Sequence, residues 1–418
     1  MKFEELKLSS HLNESIQKLG FTVPTEVQFK SIPSIMEGKD LIAESATGSG
    51  KTLAFGCGVV ENAIPKQGLQ AMILTPTREL AEQVKVSIKE LADKKPLTII
   101  SVYGGVSINP QIQELKRAEI VVATPGRLLD HMSQRTIDTS KVKILVLDEA
   151  DRMLDMGFID DVQKIIKACP VKRQTLFFSA TIAPKIKDLA NRFMKNPVQV
   201  WAEKQVDPSK LKQTYYDLPR KMKLSLLIEL LQKEKSGLIM VFSNTRRTTD
   251  FIVKNLRINK IDAIAIHGGF SQNKRSQSIE LFDKGKFGVL VCTDVAARGL
   301  HIENVSHIYN YDIPKDPKDY VHRIGRTARA GEEGKVVNLL CDFDYDNFSK
   351  IQREYRDFKI DRSEVPHINA VKIVQVSDRE RRPQGRGRNP RRGESRPGSD
   401  SRHRTWAGKR DSAFKRRS

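Results

Sequence analysis

At 418 residues the chain is too long for one compact core, and two domains plus an extension are expected. Its formal charge of +21 favours a polyanionic partner, nucleic acid foremost, and Asp378–Ser418 contributes +10 of it with fifteen Lys+Arg against five Asp+Glu. Four scattered cysteines exclude a zinc or disulfide framework, and the lack of a signal-peptide core or a membrane-length apolar run points to a soluble, cytoplasmic protein.

Along the chain, short β-rich runs alternate with amphipathic stretches, the pattern of parallel sheets covered by helices. Leu41–Glu44 leads directly into a glycine-rich loop of Ser45, Ala46, Thr47, Gly48, Ser49, Gly50, Lys51 and Thr52. Glycines let such a loop close on an anion with its backbone N–H groups turned inward. The lysine then meets the outer phosphates, and the Thr52 hydroxyl meets Mg2+. Ala71–Leu74 precedes Thr75-Pro-Thr-Arg78, Leu97–Val102 precedes Gly104-Gly105, and Glu119–Ala123 precedes Thr124-Pro-Gly-Arg127. Ile144–Leu147 runs into Asp148-Glu-Ala-Asp151, and Thr175–Phe178 into Ser179-Ala-Thr181. A carboxylate at Asp148 can share the metal, leaving Glu149 to orient or deprotonate an attacking water. Loop and acidic pair together imply hydrolysis of a nucleoside triphosphate.

The pattern lapses over Trp201–Leu211 and then restarts with Leu238–Phe242, Ala263–Ile266, Gly288–Cys292, His307–Tyr311 and Lys335–Leu340. Polar signatures again follow the runs, as expected for ligand sites at strand carboxyl ends. Beyond about Pro366 the composition turns polar and then Arg/Gly/Pro/Ser-rich, which predicts disorder. The expected organisation is α/β, with parallel-sheet domains at residues 1–203 and 213–366, a linker at 204–212 and a basic tail at 367–418.

Taken together, Asp148-Glu-Ala-Asp151, Ser179-Ala-Thr181 and His322-Arg-Ile-Gly-Arg-Thr-Ala-Arg329 resemble the motifs of the DEAD-box family of ATP-dependent RNA helicases. The likeness runs in order from Phe3 to about Asp361 and implies two tandem RecA-like domains that use ATP and Mg2+. Gly20–Gln28 is similar to the family's adenine motif. It implies that Phe21 stacks on the base, that Gln28 reads the base's edge, and that Phe3 packs nearby. Arg326 and Arg329 would be arginine fingers at the γ-phosphate. His322 and Arg323 would couple the second domain to the two motifs that Asp151, Ser179 and Thr181 join. For RNA, the resemblance implies backbone contacts from Thr77, Arg78, Gly105, Thr124 and Arg127, matched by Gln272, Arg275 and Thr293 in the second domain. The tail would add non-specific RNA binding. His301 stands where most of the family carries an aspartate that holds ribose. The implied activity is RNA-dependent ATP hydrolysis with local unwinding of short duplexes or remodelling of RNA–protein complexes. An ATP-gated RNA clamp or annealing chaperone is the alternative. The sequence carries no dimer signal, and a monomer is expected.

Overall fold

Runs such as Ala71–Leu74 and Ile120–Ala123 are apolar on both sides of the pleat, so they are stable only in a sheet covered on both faces. The computed structural model, which describes residues 2–45, 48–202, 211–234, 237–297, 302, 305–327 and 334–375, places them in such a sheet. Strands β1 (Leu41–Glu44), β2 (Ala71–Leu74), β3 (Ile99–Val102), β4 (Ile120–Ala123), β5 (Ile144–Leu147), β6 (Gln174–Ser179) and β7 (Val198–Trp201) pair in the order β3-β4-β2-β5-β6-β1-β7. All of these pairings are parallel. Alternate residues feed two separate cores: Ile73, Val122, Val146 and Phe178 enter one, while Met72, Val121, Leu145 and Phe177 enter the other.

The second half repeats this plan. Strands β8 (Leu211–Asp217), β9 (Leu238–Phe242), β10 (Ala263–Ile266), β11 (Val289–Cys292), β12 (Val305–Asn310), β13 (Gly334–Leu340) and β14 (Ile360–Arg362) form a second parallel sheet. Their order is β10-β11-β9-β12-β13-β8-β14, the same topology strand for strand. Both sheets lie within one compact unit, Met1–Val376. The four cysteines are buried free thiols, and no described helix is long and apolar enough to cross a membrane.

The shared strand order fixes where each loop emerges. In the first half the phosphate loop follows β1, Ser179–Thr181 closes β6 and Asp148–Asp151 follows β5. These are neighbouring strands, so their carboxyl ends meet. The loops after β2, β4 and β3 continue along the same edge. The phosphate loop and the loops expected to contact a nucleic-acid backbone therefore share one edge.

Two expectations need correction, and three strands had no expected counterpart. The expected linker 204–212 lies outside the described residues except for Leu211 and Lys212, which already belong to β8. Strands β7, β8 and β14 carry polar residues on at least one side, so none presents the apolar run that marked the interior strands. The first part of the expected tail, up to Gln375, is not loose. Ile368 and Val371 pack on the second-half core, and the chain from Lys372 to Val374 is hydrogen-bonded to the helix Arg246–Ile258. The apolar residues Ile368, Ala370, Val371, Ile373 and Val374 set this segment apart from the polar chain that follows, a signal that the expectation of a polar tail passed over.

Candidate active site and nucleic-acid interface

The helix Lys51–Asn62 starts where the phosphate loop ends, with Gly48 at φ +84° and Gly50 at φ +88°. Both lie in the left-handed region that glycine adopts without strain, and a Cβ at Gly50 would collide with the Gln28 amide. Lys51 is buried and donates from Nζ to the Ser45 carbonyl at 3.1 Å, while the Ser49 hydroxyl donates to Ser45 Oγ at 3.1 Å. Closed loop, helix N-terminus and buried lysine together form a cradle that fits phosphates. Ala46 and Thr47 lie outside the described residues.

Gln28 is turned toward this cradle. Its Oε1 accepts the Thr25 N–H at 2.9 Å, its Nε2 donates to the Gly50 carbonyl at 3.1 Å, and Thr25 Oγ1 donates to the Ser49 carbonyl at 2.7 Å. In this arrangement Gln28 braces the loop, and reading a base would require it to release those bonds. Phe21 is 47% exposed and free to stack, whereas Phe3 is 6% exposed inside the first core. Phe3 is thus a packing residue, as its burial beside Leu6 and Leu12 dictates.

Asp148 and Glu149 emerge at the end of β5. Glu149 adopts φ +52°, an uncommon backbone conformation for a residue with a side chain, of the kind concentrated at functional sites. Burial pushes the Asp148 carboxyl up to about 7, against the opposing pull of Lys51 and with neighbouring Glu149 and Asp151 adding to the rise. Among the described residues no three metal-ligating side chains converge on one point, so the chemistry of a hard divalent cation rests here on the expected pair of Asp148 and Thr52. Asp151 ties this motif to the next strand. Its Oδ2 accepts from the Thr181 N–H at 3.1 Å and the Thr181 hydroxyl at 3.3 Å, its own N–H donates to Ser179 Oγ at 3.1 Å, and Ser179 donates on to the Thr181 carbonyl at 2.7 Å. The expected coupling set is therefore contiguous.

From the second half, the helix Pro317–Ile324 carries His322 to this motif. Burial holds the imidazole below its ordinary range, with Asp319 opposing and the Arg152 cation adding to the depression, while Asp151 and Glu149 pull the other way. Arg326 is buried and lines a small void between the halves with Arg152, Asp294 and His322. Arg323 is placed differently from expectation. It donates to Asp294 at 2.5 and 2.7 Å, to Asn310 at 2.9 Å, to the Asp312 carbonyl at 2.6 Å and to Asn244 at 3.0 Å, all within the second half. It organises the loops around that sheet, and among the described residues it makes no hydrogen bond across the halves. Arg329 and His301 lie outside the described residues.

The interface candidates line the adjoining loops. Thr77 caps the helix Arg78–Leu91 by accepting the Leu80 N–H at 3.3 Å, and the Arg78 guanidinium packs over Gly105, φ +82°. Thr124 precedes the helix Pro125–Ser133, and Arg127 Nη2 donates to the Val106 carbonyl at 3.0 Å. Thr293 follows β11 and is buried. Gln272 and Arg275 reach the first half instead of solvent: Gln272 Nε2 donates to Glu79 Oε1 at 3.0 Å, and Arg275 Nη2 lies 3.1 Å from the same oxygen.

The sequence reading missed Glu79, Arg152 and Arg246. Glu79 was hidden beside the more conspicuous Thr77 and Arg78. Arg246 follows the cap Thr245 and packs against Gly268, repeating the Thr77–Arg78–Gly105 arrangement in the second half. A comparison of equivalent strand-end loops would have found it.

Residues 25–189 match the DEAD/DEAH box helicase family, and residues 222–331 match the helicase conserved C-terminal domain. The ATP-dependent RNA helicase CshA of Listeria monocytogenes is 44% identical over 342 residues, 81% of this chain and 66% of that protein. The DEAD-box ATP-dependent RNA helicase CshA of Bacillus subtilis is 40% identical over 370 residues, 88% of this chain and 75% of that protein. The structure of S. cerevisiae Dbp5 bound to RNA and ADP BeF3 superposes with a TM-score of 0.80 at 31% identity, covering 87% of this chain and 96% of that one. Two RecA-like halves of identical topology, the phosphate loop and the Asp148–Asp151 motif agree with these matches: the chain belongs to the DEAD-box family of ATP-dependent RNA helicases.

Proposed function

We propose that this chain is an RNA-dependent ATPase that grips one RNA strand across both halves, and that it locally opens short duplexes or remodels RNA–protein complexes. The observation that carries this reading is the contiguity of the two regions. Asp148–Asp151 stands at the middle of the first sheet's strand-end edge, with the phosphate loop to one side and Thr77, Arg78, Gly105, Thr124 and Arg127 to the other. Events at the nucleotide can therefore reach the strand-binding loops through adjacent elements.

In this reading, Lys51 and the loop N–H groups hold the phosphates of ATP. Thr52 and Asp148 would hold Mg2+, which would supply charge neutralisation for the phosphates. Glu149 orients or deprotonates the attacking water, and Arg326 with Arg329 stabilises charge on the transferred phosphoryl group. His322 carries closure of the second half to Asp151 and Glu149. Hydroxyls, glycine backbone and arginines on the adjoining loops suit phosphate and ribose contacts that position a strand without reading bases. Joint closure on ATP and RNA would bend the bound strand and release its partner, and hydrolysis would then reopen the halves.

The test is steady-state ATPase activity alone, with single-stranded RNA and with matching DNA, for the native chain and Glu149→Gln. RNA should stimulate strongly and DNA weakly, and the substitution should lower the stimulated rate by about 10²-fold or more. Equal stimulation by DNA, or none by RNA, would refute the RNA dependence. A strand-displacement assay beside an annealing assay tests the unwinding step.

A further inference from the structure

Arg152 follows the acidic motif directly and is almost completely buried. Its Nε lies 3.5 Å from Oε2 of Glu149, on the short helix Ala150–Asp155. Among the described residues its Nη1 and Nη2 have no hydrogen-bond partner, and neither does Glu149 Oε2. The guanidinium lines the void between the halves, opposite Asp294, Asp319, His322 and Arg326 of the second half. Asp294 is already engaged with Arg323. A buried guanidinium with two unmet donors is a poor stabiliser, because a neutral side chain of the same volume would avoid the desolvation. Its location joins the two things the proposed reaction must couple, the Glu149 carboxylate and the approaching second half.

We propose that Arg152 is a positioning residue for Glu149, an inference that rests on the ATPase reading above. Its guanidinium steers the Glu149 carboxylate from the side facing the second half. Its Nη groups face that half across the void and would gain their acceptors only as the halves close further on ligand. Glu149 is then correctly oriented only when the halves are together, and the base is held idle when they part. Arg152 touches neither substrate nor metal in this scheme; it acts through Glu149.

The test uses the full chain with Arg152→Met and Arg152→Lys, read by RNA-stimulated kcat, by ATP half-saturation and by thermal unfolding. Misorienting a base by a fraction of a bond length costs on the order of 10²-fold in rate. Arg152→Met should therefore lose roughly that much kcat with an unchanged ATP half-saturation, a signature of an interaction made only in the transition state. Arg152→Lys should recover part of the rate. The unfolding temperature of Arg152→Met should hold or rise, since the unmet donors are gone. A native kcat in Arg152→Met, or a kcat loss matched by a lower unfolding temperature, would overturn the proposal. Glu149→Gln separates the two levels: if it too leaves ATPase intact, the ATPase reading fails, whereas if it abolishes the rate while Arg152→Met does not, only the positioning role fails.

Discussion

At the scale of single residues, the site is built from positions where a side chain would not fit or would not be tolerated. Gly105 shows this most clearly. Its φ of +82° strains any other residue, and a Cβ there would run into the Arg78 guanidinium. Gly105→Ala must therefore unseat Arg78 from the loop proposed to bind the RNA strand. Losing one charge-assisted contact of about 1.5 kcal/mol corresponds to roughly a tenfold higher RNA half-saturation. The rate at saturating RNA should change little, because Glu149 and the phosphate loop are untouched. Gly126→Ala is the matched control, since a Cβ there meets open space. An RNA titration of ATPase activity that fails to separate the two variants would show that Arg78 does not need this seat.

At the scale of elements, the interior strands were readable because parallel strands covered on both faces are apolar at every position, as β2, β4 and β5 are. The motifs were readable because each follows such a run. The edge strand β14, Ile-Asp-Arg, buries too little to leave a mark, and the segment leading to Val374 shows only a short Ile/Val run with no strand or helix period. That segment is held by two asparagines one helical turn apart. Asn255 accepts the Val374 N–H at 2.7 Å and donates to the Val374 carbonyl at 3.0 Å, while Asn259 donates to the Lys372 carbonyl at 2.9 Å. Four residues of helix rise about 6 Å, and two residues of extended chain about 6.6 Å, so the asparagines stay in register with alternate peptides. The asparagines recognise only backbone, so the side chains at 372–374 are not specified by these bonds. Val374→Pro removes the donated N–H and should free the segment, with loss of hydrogen-exchange protection at the Lys372 amide. The buried Asn255 acceptor left behind should cost about 1 kcal/mol of stability. Val374→Ala should do neither. Unchanged exchange in the proline variant would mean that Ile368 and Val371 alone hold the segment.

At the scale of the whole molecule, the proposed cycle depends on how the halves come together, and Glu79 forms an ionic link between them. It lies in the first turn of the helix Arg78–Leu91 and faces the first turn of the helix Gln272–Asp283, where the helix dipole also favours a carboxylate. Gln272 and Arg275 converge on one of its oxygens, with Glu79 and Arg275 both largely excluded from water. The sequence reading assigned Arg275 to RNA, and the two roles make opposite predictions. If Arg275 serves Glu79, Arg275→Met should leave RNA affinity without nucleotide unchanged. The mutual tightening of ATP and RNA binding should drop about tenfold, because closure now buries a carboxylate with only Gln272 as partner. Adding Glu79→Gln should then restore part of that coupling, since removing the unpaired charge relieves the burial penalty that Arg275→Met created. The ratio of ATP half-saturation with and without RNA measures the coupling in the native chain and both variants. If Arg275→Met instead weakens nucleotide-free RNA binding and Glu79→Gln brings nothing back, the arginine belongs to the RNA strand and the halves are held by other contacts.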